Sequence, residues 1–346
     1  MTGKRISQTH SIAIVGAGSW GTALAIQFAR SGSSVNLCAR NVSIAAELQS
    51  RRENCKYLPG ARLPDNISVC EDLATAVAAV KDILIVVPSH AFRATLSALR
   101  ELGIDRRRVS WATKGFELDT GLLPHQIASE LLGASTPTAV LSGPTFAAEV
   151  AAGLPSALTV ASSNEAFASD LSNAIATSTF RAYTSRDVIG VEVGGATKNV
   201  FAIGAGLSDG LGFGANTRIA LVTRGLAEMT RLGIKLGARM ETFMGLAGMG
   251  DLVLTCTDDL SRNRRFGKAL AAGSNAEAAL KSIGQVVEGY YGARAVHRVA
   301  QKLDVDLPII EQIYQVLYKG LSPRSAVSNL MSRPPTAEHL PTTDSH

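Results

Sequence analysis

Three observations predict a doubly wound, mostly parallel α/β sheet followed by an all-α C-terminal domain. Residues 12–21 read Ile-Ala-Ile-Val-Gly-Ala-Gly-Ser-Trp-Gly, an apolar run that opens straight into a glycine triplet. Short β-like runs then alternate with helical stretches as far as residue 186. From there to about residue 331 the periodicity is almost wholly helical. Strands alternating with helices of this length read as βαβ units on a parallel sheet. A chain of 346 residues has room for two cores.

The β-like runs fall at 11–15, 35–39, 67–70, 83–87, 109–112, 139–142 and 157–161, with helical stretches at 22–30, 45–51, 73–80, 92–102 and 122–132. The run after Asp82, Ile-Leu-Ile-Val-Val-Pro, has the unbroken apolar character of a strand buried on both faces. In the second half, helical patterns occupy 187–206, 217–232, 262–272, 290–302 and 309–319. Residues 1–10 read as a flexible lead-in, and 332–346, rich in Pro, Thr and Ser, as a disordered tail. The expected domains are therefore 11–186 and 187–331. There is no internal repeat. Gly245-Leu-Ala-Gly-Met-Gly250 imitates a second glycine fingerprint but has no strand before it, so a tight loop is expected.

Gly16, Gly18 and Gly21 stand at the G-x-G-x-x-G spacing between strand and helix. The first glycine makes the tight turn, the second admits a pyrophosphate to the backbone, and the third packs helix against strand. Amides at the helix start then face the phosphate charge. This is the Rossmann-type dinucleotide turn, although a plain βα turn has the same local pattern. An NAD site carries a carboxylate about 20 residues further on for the ribose 2′-hydroxyl. Here no Asp or Glu precedes Glu47, and the second strand ends in Arg40. A guanidinium suits a 2′-phosphate, which points to NADP with NAD accepted. An ordinary surface charge is the competing explanation of Arg40.

Composition narrows the partners. Hydrophobic residues make up 46% and charged residues 18%, as in a globular protein. The net charge of +5 comes with only 5% aromatics and no groove-length basic stripe; the densest cluster is Arg262, Arg264, Arg265 and Lys268. An anionic small molecule fits this better than nucleic acid. No apolar run approaches the roughly 20 residues of a membrane span. The cysteines, Cys38, Cys55, Cys70 and Cys256, are scattered without metal spacing. Reduced thiols, no metal and a cytoplasmic protein are expected.

Chemistry concentrates in four places. Gly194 and Gly195 interrupt a helical pattern just before Lys198 and Asn199, at about 1 kcal/mol each relative to Ala. That suggests a close approach beside the lysine. Two polar loops follow strands, where α/β ligands collect: Thr113-Lys114-Gly115, and Ser142-Gly143-Pro144-Thr145-Phe146-Ala147, with Pro144 suited to a first helical turn. Asp251 stands behind the glycines at 245–250. Ser261-Arg262-Asn263 joins a cap, a guanidinium and an amide at a helix start, as a phosphate site requires, though a capped surface helix looks the same.

Taken in order, residues 16–25, 113–115, 142–147, 194–199, 248–252 and 261–263 resemble the bacterial-type NAD(P)-dependent glycerol-3-phosphate dehydrogenase family, over about 11–331. The resemblance implies interconversion of sn-glycerol 3-phosphate and dihydroxyacetone phosphate, supplying phospholipid backbones. It makes Lys198 the proton acceptor and gives the substrate Lys114, Gly143, Thr145, Lys198, Asp251, Ser261, Arg262 and Asn263. To the cofactor it gives Gly16, Gly18, Ser19, Trp20, Gly21, Arg40, Tyr57, Lys114, Ala147, Arg262, Val286 and Glu288. The family often has His or Lys near position 40. A homodimer is allowed for, without a residue that argues it.

A lysine base needs its pKa brought from about 10.4 toward 7–8. Burial and Lys114 would push that way, and Asp251 would oppose it, so Asp251 is expected to orient Lys198 rather than pair tightly. Two rivals stand beside this reading. One is another dehydrogenase of the β-hydroxyacid or 6-phosphogluconate group, the other a non-catalytic NADP-sensing protein.

Overall fold

The computed structural model describes residues 10–104 and 107–334, so most of the expected lead-in and tail lies outside the described residues. The described residues form two compact units, one within 10–113 and 125–188 and the other within 114–124 and 189–334. The segment 114–124, placed in the first domain by the sequence reading, thus belongs to the second unit.

The first unit runs β1 (Ser11–Val15), α1 (Ser19–Arg30), β2 (Ser34–Cys38), α2 (Val42–Arg51), β3 (Glu53–Asn54), β4 (Leu58–Arg62), β5 (Ile67–Cys70), α3 (Leu73–Val77), β6 (Asp82–Ile85), α4 (Ser89–Glu101) and β7 (Arg108–Trp111). It continues with α5 (Pro124–Leu132), β8 (Thr138–Ser142), α6 (Ala147–Ala152), β9 (Ser156–Ala161), α7 (Glu165–Ile175) and β10 (Phe180–Ser185). The eight-stranded sheet has the order β10-β9-β8-β7-β6-β1-β2-β5. The six strands from β5 to β8 follow the doubly wound dinucleotide order, with the switch point between β1 and β6. β8 and β9 pair antiparallel, and β9 and β10 parallel. The central strands β1 and β6 are buried on both faces, and Ile12, Ile14, Ile83 and Leu84, with Leu37 of β2, are fully buried.

Strand β10 and the β3–β4 hairpin were not expected. Phe180-Arg-Ala-Tyr-Thr-Ser is polar enough to read as loop, because its strand lies at the sheet's edge. His10, assigned to the lead-in, is instead fixed: its ring stands 2.7 Å from the Asp82 carboxylate and 3.1 Å from the Ser33 hydroxyl. Asp82 is fully buried and also accepts two bonds of 2.6 Å from Arg108, so it is not left as an unpaired charge.

The second unit is helical: α8 (Val188–Gly210), α9 (Ala215–Lys235), α10 (Met240–Phe243), a π-helical turn (Leu246–Gly250), α11 (Asp251–Thr257), α12 (Arg262–Ala271), α13 (Ala276–Ile283), α14 (Glu288–Leu303), α15 (Pro308–Lys319) and α16 (Pro323–Met331). Helix α8 is its axis. Every residue from Gly190 to Ser208 is buried, and Val193, Phe201 and Ile203 join Met229, Leu232, Phe243, Phe266, Val296 and Ile310 in one core. A helix hydrophobic all round belongs inside a helical layer. Glycines bring the neighbouring helices within backbone contact: a Cβ on Gly267 would lie 2.2 Å from the Ile203 carbonyl oxygen, and one on Gly289 2.3 Å from that of Asn199.

Candidate active site

In the first unit the glycine turn is built as its spacing requires. Gly16 has φ +118°, and a Cβ there would sit 2.4 Å from the Val86 carbonyl oxygen, so the turn tolerates only glycine. A Cβ on Gly21 would meet the Gly16 carbonyl oxygen at 1.8 Å, whereas one on Gly18 would have nothing within 4 Å. The first and third glycines therefore serve packing, and the second leaves room above the turn. Helix α1 starts there with no side-chain cap and no acidic residue in its first turn. Its leading amides lack intrahelical partners and favour an anion. The Trp20 indole Nε1 is buried without a hydrogen-bond partner. These features fit a pyrophosphate and the polar edge of a dinucleotide.

One residue that the sequence reading missed holds this turn. Asn54, buried on the two-residue strand β3, donates to the Ala17 carbonyl at 3.0 Å and the Thr22 hydroxyl at 2.7 Å. Its side-chain oxygen accepts from the Tyr57 amide at 3.2 Å, which ties Tyr57 to the glycine turn. Arg40 is exposed, two residues beyond the end of β2, where a 2′-phosphate could be met. Gly143 follows β8, and a Cβ on it would lie 2.8 Å from the Leu158 Cα. Thr145 and Ala147 are half-buried. Pro144 is not in a first helical turn as expected: α6 begins at Ala147 with Phe146 as its cap. Pro144 lies in the link between β8 and that helix.

The second unit brings together Lys114, Lys198 and Asp251. The Lys198 ammonium donates to Asp251 Oδ1 in a short contact and to the Thr255 hydroxyl at 3.1 Å, while Lys114 donates to Asp251 Oδ2 at 2.8 Å. Asp251 thus pairs tightly with both lysines, which corrects the expectation that it would only orient. The reason is burial: Lys198 is 7% exposed and Asp251 0%, and charges this deep require partners. Burial pushes the Lys198 ammonium down to about 7; Lys114 pushes the same way, and Asp251 opposes both. Thr255, four residues after Asp251 on α11, bonds to the Asp251 carbonyl at 2.6 Å and fixes the lysine from the other side. Sequence reading overlooked it, although the i,i+4 spacing was there to use.

Local structure delivers Asp251. Residues 246–250 are not the expected tight loop but a π-helical turn leading directly into α11. A Cβ on Gly194 would stand 2.3 Å from the Ala247 carbonyl oxygen. The close approach suggested by the α8 glycines is thus made, at Gly194, by the protein's own backbone. The turn places the Asp251 carboxylate at a helix start, where negative charge is favoured.

Nearby on the same unit, Ser261 caps α12 by accepting from the Arg264 amide at 3.2 Å. Arg262 is half-buried and donates to Gln285 Oε1 at 2.8 Å. Burial lowers its pKa, against the pull of Glu288; burial also raises the Glu288 carboxyl to about 7, against Arg262. Val286 beside them is exposed. Asn263 donates to Asn199 Oδ1 at 2.9 Å and accepts from the Gly289 amide at 2.8 Å, which leaves one N–H for a ligand. Within the basic cluster Arg264 is spent on Asp209 and Asp259, and Lys268 on Asp259, so Arg262 and Arg265 carry its remaining positive charge. Among the described residues no group of three His, Cys, Asp or Glu side chains could hold a metal ion, and no helix is long and apolar enough to cross a membrane.

A glycine turn shaped for a dinucleotide, and a buried lysine with a pKa near neutrality, define the class as a nicotinamide-dependent dehydrogenase. Residues 11–168 match the model of the NAD-dependent glycerol-3-phosphate dehydrogenase N-terminus, and residues 187–328 that of its C-terminus. The chain belongs to the NAD-dependent glycerol-3-phosphate dehydrogenase family. It is similar to glycerol-3-phosphate dehydrogenase [NAD(P)+] of Idiomarina loihiensis, with 53% identity over 94% of this chain and 98% of the relative. The enzyme of the same name from Vibrio campbellii is 51% identical over 97% of this chain and 96% of its own. A crystal structure of glycerol-3-phosphate dehydrogenase from Coxiella burnetii superposes with a TM-score of 0.91 at 45% identity, covering 94% of this chain and 99% of that one.

Proposed function

We propose that this chain is a glycerol-3-phosphate dehydrogenase that interconverts sn-glycerol 3-phosphate and dihydroxyacetone phosphate with NADP(H), accepting NAD(H). The observation that carries the reading is the buried Lys198, held between Asp251 and Thr255 with Lys114 on the same carboxylate. Family membership and the names of relatives at about half identity support the substrate.

When bound, the nicotinamide takes or gives the hydride. Gly16, Gly18 and Gly21 with the α1 amides would receive its pyrophosphate, Ser19 and Trp20 line that turn, and Arg40 would meet the 2′-phosphate. Tyr57, Ala147, Val286 and Glu288 complete the cofactor set. In the oxidising direction Lys198 must be neutral and takes the hydroxyl proton of the secondary alcohol as its carbinol hydrogen leaves. With its pKa near 7 the amine is free to do so just above neutrality. In the reducing direction the ammonium returns that proton to the carbonyl oxygen. Lys114 stabilises the developing alkoxide electrostatically. Arg262 takes the phosphate with Ser261 and Asn263, and Gly143 and Thr145 complete the substrate set.

The product suits phospholipid backbone supply, and we place the enzyme in the cytoplasm, allowing for a homodimer. The test follows the absorbance of reduced nicotinamide with dihydroxyacetone phosphate, using NADH and NADPH in parallel. Consumption with both, faster with NADPH, is expected. Cofactor binding without consumption would make the chain a sensor. Turnover of β-hydroxyacids but not of dihydroxyacetone phosphate would move it to the neighbouring dehydrogenase group.

A further inference from the structure

We propose that Cys38 and Cys70 are a redox-active thiol pair whose oxidation to a disulfide weakens cofactor binding. Strands β2 and β5 are parallel neighbours, and their register sets Cys38 directly beside Cys70. Residues paired in register project to the same face of a sheet, and both thiols lie in one buried cluster with Ala76 and Leu73 of α3. Neighbouring strands are spaced about 4.7–4.9 Å apart. That lies inside the Cα separation of about 4.4–6.8 Å over which a disulfide closes. The remaining cysteines, Cys55 and Cys256, lie outside this cluster.

The pair stands at the base of the cofactor turn. The Cys38 carbonyl accepts from the Gly16 amide at 3.1 Å, and the Cys70 carbonyl accepts from the Ala39 amide at 3.0 Å, one residue before Arg40. A bond between the two sulfurs would draw both carbonyls along with it, and with them the first glycine of the turn and the residue expected at the 2′-phosphate. This consequence rests on the cofactor reading given above; formation of the bond does not.

The oxidant is a peroxide. One thiolate attacks a peroxide oxygen, giving a sulfenic acid and releasing hydroxide. The second sulfur then displaces the sulfenic hydroxyl, so two thiols lose two hydrogens and hydrogen peroxide becomes two waters. Burial raises both thiols, Cys38 to about 11, which keeps the reduced pair quiet. Reaction therefore depends on opening of β5, the edge strand of the sheet. A cross-strand disulfide is strained and hence readily reduced.

The test treats the full chain, carrying Cys55→Ser against intermolecular coupling, with hydrogen peroxide, and reads three quantities. Intact mass and peptide mapping should show loss of two hydrogens and a Cys38–Cys70 link. NADPH binding, followed by its fluorescence, should weaken about tenfold, the equivalent of one lost hydrogen bond of placement. Dithiothreitol should restore it. The ratio of oxidised to reduced affinity should stay near one in Cys38→Ala and in Cys70→Ala. If both thiols remain alkylatable after the same peroxide treatment has consumed the half-buried Cys55 of an unsubstituted chain run alongside, the pair is not redox-active. If the link forms and affinity is unchanged, the coupling to the cofactor turn is wrong. Failure of the reduced protein to bind NADPH at all would instead count against the cofactor reading.

Discussion

Replacing the two groups that touch the Lys198 environment should move its titration in opposite directions. Lys114 and Lys198 sit on the two oxygens of one carboxylate. Ammonium groups so placed are about 4–6 Å apart, and at an effective dielectric of about 20 they repel by about 3–4 kcal/mol. That corresponds to about two to three pH units, of which relaxation and water entry return a share, leaving about one to two. Lys114→Gln removes the repulsion, so the acid limb of kcat/KM for glycerol 3-phosphate oxidation, expected near 7, should climb by that amount. Asp251→Asn removes the attraction that supports the ammonium, so the same limb should fall below its parent position. Both variants lose rate as well, which is why the limb rather than the rate is read. The sign follows from chemistry: neutral Lys198 is the competent base, so oxidation rises with pH through the pKa, and reduction declines through it. Lys198→Ala should lose turnover and the limb together while still binding NADPH. A limb that moves the same way in Lys114→Gln and Asp251→Asn, or that survives in Lys198→Ala, would refute Lys198 as the titrating base.

Arg262→Ala should raise the KM for glycerol 3-phosphate about 10- to 100-fold, the value of a charge-assisted hydrogen bond. An unchanged KM would put the phosphate elsewhere. Arg40→Asp should lower the NADPH-to-NADH ratio of kcat/KM by about tenfold or more; no change would return Arg40 to the solvated surface. Glu228, buried on α9, accepts from the Ile309 amide at 2.6 Å and the Ile310 amide at 3.2 Å at the start of α15. Burial raises its pKa to about 8, so the folded state holds a proton that the unfolded chain releases near 4.5. The contribution of Glu228 to stability should be complete below about pH 4.5 and decline by up to about 1.4 kcal/mol per pH unit until about pH 8. Glu228→Gln should flatten that slope in chemical denaturation, and an equally steep variant would show that the slope arises at another group.

What the sequence disclosed was local chemistry, and what it withheld was non-local. The glycine turn was legible because each glycine answers a steric need within a few residues or from the adjacent strand. The start of α12 was legible because Ser261 caps it in the ordinary way. Asn54 was not, since its three bonds, to Ala17, Thr22 and Tyr57, are made from a two-residue strand with no periodicity. The segment 114–124 was misplaced for a similar reason. It follows β7 without a break in pattern, yet Phe116 and Leu123 are buried in the helical core. Arg298 of α14 also donates to the Leu118 carbonyl at 2.7 Å.

A carboxylate that supports the ammonium works against a lysine base, which is why the sequence predicts a loose contact between Asp251 and Lys198 where the structure has a tight one. Burial changes the balance: an unpartnered Lys198 at this depth would shed its proton, and a fully buried Asp251 carboxylate requires cationic partners. Together with Lys114 they hold one negative charge between two amines, and burial still outweighs the carboxylate at Lys198. The group can therefore lose one proton near neutrality while every remaining charge keeps a partner. That arrangement requires the carboxylate at one fixed point beneath α8. The π-helical turn and the Gly194 contact supply it, so a helix-weakening glycine and an irregular turn are the structural cost of a lysine that titrates near pH 7.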